Sequence, residues 1–83
     1  MPKKLKQDIS IGVNMKKYRK ESGLSQERVA AKLQVLGLDI SREVLSQIER
    51  GVCNVRVSVL LALADLYQIP IQEFFVDLEK HEL

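Results

Sequence analysis

The sequence predicts an all-α domain of five short helices around one core. Apolar residues recur at three- and four-residue intervals along most of the 83-residue chain and nowhere alternate as a half-buried strand does. Ser or Gly stands at most points where that rhythm begins or breaks. The composition is 46% hydrophobic but only 5% aromatic, with no Trp, so the core must be built from Leu, Ile, Val and Ala, as in small helical bundles. A chain of this length holds one core rather than two.

Residues 1–10 carry three Lys and little to bury, and read as a basic, mobile N-terminal arm. The first helix starts at Ile11, with Met15 and Tyr18 on its inner side, and Gly23 is placed to end it in a left-handed conformation. Ser25 reads as the N-cap of the second helix and Glu27 favours its dipole, while Val29, Ala30 and Leu33 form the buried stripe. Leu36–Ile40 breaks the pattern and must turn. Ser41 is the expected cap of a third helix, Ser41–Arg50, with Val44, Leu45 and Ile48 inward and Gly51 at its end. Asn54–Ser58 reads as a connector and Val59–Tyr67 as the fourth helix, with Leu60, Leu63, Ala64 and Tyr67 inward. Pro70 restarts the chain, and Ile71, Phe74, Phe75 and Leu78 read as the apolar side of a last short helix. The domain is thus expected over 11–78, followed by a polar tail at 79–83.

Several function classes are poorly served by these residues. The longest unbroken apolar run is Val59–Ala64, far short of the roughly 20 residues that cross a bilayer. Basic Met1–Lys6 is not followed by the apolar stretch of a secretory leader. A single thiol, Cys53, excludes an intrachain disulfide framework and suits the reducing cytoplasm. His81 and Cys53 have no partner at metal-ligand or nucleophile–base spacing. The expectation is a non-enzyme without metal or cofactor.

Charge is unevenly divided. Residues 1–58 hold twelve Lys or Arg against six Asp or Glu, whereas residues 59–83 hold one against five. A basic front suits a polyanion, a chance imbalance of solvated charge being the alternative. On the third helix, Arg42, Glu43, Ser46, Gln47 and Arg50 share one side of the cylinder. A helix about 10–12 Å across fits the major groove of DNA, where Arg suits guanine, Gln suits adenine and Glu accepts from cytosine. Spacing alone leaves this reading and a plain solvated face equally open.

Gly23–Ala30 (GLSQERVA) and Ile40–Gly51 (ISREVLSQIERG) resemble the helix-turn-helix of the Cro/lambda-repressor-type (XRE) DNA-binding family. The resemblance extends through Ile11-Gly12, Met15 and Arg19 to Leu60–Tyr67, Ile69 and Glu73–Phe75. It implies a compact five-helix lambda-repressor-like domain whose third helix reads DNA. By position it implies Arg42, Glu43 and Gln47 as base readers. It places Gln26, Ser46, Arg50, Asn54 and, less closely, Arg56 on backbone phosphates. It assigns Arg19 and Glu49 to an internal salt bridge. The chain departs from the family pattern twice. Leu36–Ile40 extends the turn between helices two and three, and its apolar residues are expected to pack. Val55 stands where a proline is usual.

The expected function is sequence-specific binding of double-stranded DNA by a transcriptional regulator, a repressor acting as a homodimer on a palindromic operator. Leu78 and the apolar side of the last helix are the candidate dimer surface. The alternative is a protein-interaction module or antitoxin that reuses the same fold.

Overall fold

A computed structural model describes residues 11–76. They form α1 (Ile11–Glu21), α2 (Gln26–Val35), α3 (Arg42–Glu49), α4 (Val57–Leu66) and a 3-10 turn, Ile71–Phe75, with no strand among them. The basic arm, Leu78, the polar tail and His81 lie outside the described residues.

The two serine caps form as their chemistry dictates. Ser25 Oγ accepts the Arg28 N–H at 3.0 Å, and Ser41 Oγ accepts the Val44 N–H at 3.1 Å. Each satisfies one donor that the first helical turn leaves orphaned.

The extended turn is closed by Gly37. At φ +84° it takes a left-handed conformation that lets the Leu38 N–H reach back to Leu33 O at 2.9 Å and its own N–H reach Gln34 O at 3.0 Å. The Gln34 side chain holds Ile40 O at 3.1 Å. Leu38 and Ile40 consequently pack on the core. Leu36 does not, contrary to expectation: it caps α2 on the outer side of the reversal and stays 60% exposed. α4 ends through the same pair of reverse hydrogen bonds, but there Gln68 occupies the left-handed position at φ +58°.

Two other expectations need correction. α4 begins at Val57, two residues early. Arg56 stands at its cap without a side-chain hydrogen bond, so no local signal marks the start. The last segment is a 3-10 turn rather than an α-helix. Tertiary bonds claim the segment. Asn14 Nδ2 donates to Phe74 O at 2.8 Å and Val76 O at 3.0 Å. Tyr18 Oη donates to Glu73 Oε1 at 2.8 Å. Phe74 is fully buried, but Phe75 points outward at 45% exposure.

The core runs from Met15 through Val29, Leu33, Leu45 and Ile48 to Val59, Leu60, Leu63 and Phe74. Burying each aliphatic side chain of this size contributes about 1.5–3 kcal/mol. Phe74 meets Tyr18 and Tyr67 edge-on, both at 6.3 Å between ring centres. α1 crosses α3 so closely at Gly12 that a β-carbon there would lie 2.5 Å from Glu49 O. Only a residue without a side chain permits that approach.

Candidate nucleic-acid interface

α3 divides cleanly into two sides. Leu45, Ile48 and Glu49 are buried, while Arg42, Glu43, Gln47 and Arg50 are exposed and Ser46 is half-buried. The buried side fixes the helix against α1 and α2; the exposed side projects a row of long hydrogen-bonding groups. Arg42 Nη2 lies 3.7 Å from Glu43 Oε2, with both side chains more than half exposed. Such a pair is worth little in water and leaves both head groups open to another partner. Asn54 and Arg56 are exposed in the α3–α4 connector.

Beneath this surface lies a buried ionic knot. Arg19 Nε donates to Glu49 Oε2 at 2.7 Å and Arg19 Nη2 donates to Glu49 Oε1 at 3.2 Å. The Arg19 and Glu49 side chains are 9% and 2% exposed. Arg19 Nη1 also donates to Leu24 O at 2.9 Å, tying in the α1–α2 turn. Gln26, the first residue of α2, donates from Nε2 to Glu49 Oε1 at 3.0 Å. The start of α2 is thereby clasped to the end of α3, beside Arg50 and one turn from Ser46. The sequence did not announce this Gln26–Glu49 bond, because its partners stand 23 residues apart.

Tyr67 closes the knot from α4. Its hydroxyl is buried without a hydrogen-bond partner among the described residues. Burial, reinforced by the nearby Glu49 carboxylate and opposed by Arg19, pushes its pKa well above the ordinary tyrosine value. The hydroxyl therefore stays neutral. Tyr18 is also shifted upward, first because its proton is donated to Glu73.

Charge is divided between the elements as it is along the chain. α1, α2, α3 and the connector carry all nine described Lys and Arg, whereas residues 59–76 carry only Asp65 and Glu73. Among the described residues no group of three or more His, Cys, Asp and Glu is placed to hold a metal. Nor is any helix there long and apolar enough to cross a membrane. Cys53 is half-buried and unpaired by any disulfide. It lines a shallow groove of about 260 Å³ with Ile11, Gly12, Ile48 and Asn54.

A family model described as helix-turn-helix matches residues 15–74. No curated protein and no solved structure matches the chain. The matched span takes in most of α1, all of α2, α3 and α4, and nearly all of the 3-10 turn.

Proposed function

The chain belongs to the helix-turn-helix family of the Cro/lambda-repressor (XRE) type, a family of DNA-binding transcription regulators, and from that membership we propose that it recognises a specific duplex sequence by laying α3 in the major groove. The observation that carries this reading is the two-sided α3. Its inner side is locked by Leu45, Ile48 and the Arg19–Glu49 pair, and its outer side offers Arg42, Glu43 and Gln47 to base edges. Gln26, Ser46, Arg50, Asn54 and Arg56 take the flanking phosphates and fix the register. The free N–H groups at the start of α2 add a partial positive charge at the same place.

One eight-residue helix touches only about four or five base pairs, too few to single out a genomic site, so two copies on a two-fold operator complete the reading. Repression by occupying the duplex is the proposed outcome. Exposed Val57 and Leu61 on α4, with Phe75 and Val76, give a second copy apolar surface to cover. The same exposed residues are what a protein-interaction module would use, and they support that second reading.

Binding-site selection from random duplex DNA tests the proposal. A recovered pair of inverted half-sites, about one helical turn apart, is the expected result. Failure of any recovered duplex to compete better than random DNA at moderate salt would overturn specific recognition. A tight protein partner captured in its place would favour the interaction module.

A further inference from the structure

Glu49 holds three donated hydrogen bonds, two from Arg19 and one from Gln26, and its side chain is 2% exposed. Water has little access to replace any of them. A carboxylate only accepts, so the amide that faces it has one permitted orientation, nitrogen inward. The two ends of an exposed glutamine amide are otherwise free to exchange places. Here one Nε2 hydrogen is spent on Glu49 and the other is left for a second acceptor. Gln26 also opens α2, so its own N–H and that of Glu27 lack an acceptor within the helix. Ser25 already takes the next two, from Arg28 and Val29. Arg19 offsets the charge of Glu49, so an anion approaching Gln26 meets a neutral pair rather than a bare carboxylate.

We propose that Glu49 is a positioning residue for DNA recognition: from inside the core it turns the Gln26 amide so that an N–H, not the carbonyl, joins the two free main-chain N–H groups of α2 on one phosphate. The inference rests on the DNA-binding reading above and extends it to a residue that touches no DNA. Its effect is confined to one phosphate and leaves base preference alone, which a general loss of structure would not do.

The first test uses the unaltered protein and the duplex recovered by selection, with the Gln26 side-chain amide followed by ¹⁵N NMR. One amide proton is expected to resist exchange in the free protein and to stay protected on the duplex, while its partner shifts downfield on binding. Loss of that protection on the duplex would mean that Gln26 leaves Glu49 to bind, and would overturn the proposal.

The second test replaces the ion pair by apolar groups, Arg19→Met with Glu49→Met, an exchange that folded proteins often accept. Each phosphate of the duplex is then neutralised in turn as a methylphosphonate. One position is expected to weaken the unaltered protein about tenfold to a hundredfold, the worth of a hydrogen bond to a charged group. The effect at that position should shrink in the double variant and in Gln26→Ala to the part that the two main-chain N–H groups hold, with preference at the Gln47 base unchanged. A phosphate effect that survives undiminished in the double variant overturns the proposal while leaving DNA binding intact. If the wild-type protein selects no duplex at all, the reading beneath falls and this one with it. Should circular dichroism show the double variant unfolded, the amide measurement decides alone.

Discussion

Gly12→Ala is expected to damage this domain out of proportion to one methyl group. The new β-carbon would sit 2.5 Å from Glu49 O and 2.7 Å from Ile48 O, where ordinary contact begins at 3.4 Å. Both obstacles are main chain at the end of α3, so no side chain can swing aside. α1 and α3 must separate by roughly 0.9 Å at their crossing, an overpacking that costs about 3 kcal/mol at the upper end of the usual range. Alanine returns at most about 1 kcal/mol through its better helix propensity. The net loss of about 2 kcal/mol lowers the melting temperature of a domain this size by about 8–16 °C.

The assay is thermal unfolding followed by circular dichroism, with Gly23→Ala as the comparison. Unlike the helical Gly12, Gly23 has positive φ, but nothing lies within 4 Å of its would-be β-carbon, so that change carries only the left-handed strain of about 1–2 kcal/mol. Duplex binding separates the two further. Gly12→Ala displaces the end of α3 that carries Glu49 and Arg50 and should weaken binding, whereas Gly23→Ala should spare it. If Gly12→Ala melts at or above the parent, the two helices do not approach as closely as this account requires.

Arg19→Ala removes the partner of a buried carboxylate and should cost about 3–5 kcal/mol; an unchanged melting temperature would contradict the structural role of the Arg19–Glu49 pair. Tyr67→Phe deletes a buried hydroxyl that has no partner among the described residues, so stability should hold or rise by up to about 1 kcal/mol, and a clear drop in melting temperature would reveal a partner. Because the folded pKa of Tyr67 is raised, its neutral form contributes stability fully below about pH 10 that is lost as pH climbs towards the folded value. The alkaline limb of the stability profile should accordingly flatten in Tyr67→Phe, which urea titrations at successive pH values would measure. Gln47→Ala should relax preference at one base position at a cost of about 1–3 kcal/mol. Arg50→Ala should weaken all duplexes alike and reduce the salt slope by about one. Identical behaviour of these two variants in salt titrations would show that base and phosphate contacts have been sorted wrongly.

Features governed by neighbours in the chain were legible in advance. Ser25 and Ser41 cap α2 and α3 because a serine oxygen reaches an N–H three residues on. The inward stripes of α2 and α3 followed from helical spacing alone. The start of α4 carries no local signal, because Arg56 offers no capping side chain and Ser58, which has one, falls inside the helix. Leu36 was expected inside on hydrophobicity, yet the reversal at Gly37 turns it out and Leu38 in. The final segment has an apolar pattern, but Asn14 and Tyr18 on α1 settle its shape from across the molecule.

The sequence by itself determined that the chain is helical, where α2 and α3 begin, and which side of α3 faces outward. These depend on interactions spanning a few residues, whose geometry a helix fixes without outside help. Tertiary structure alone decided that Gly12 is a close-approach point, that Gln26 is held by Glu49, and that the Tyr67 hydroxyl is buried. Each joins residues far apart in the chain. What they do depends on the distance between helices, a quantity set by how the whole core packs and written in no local run of residues.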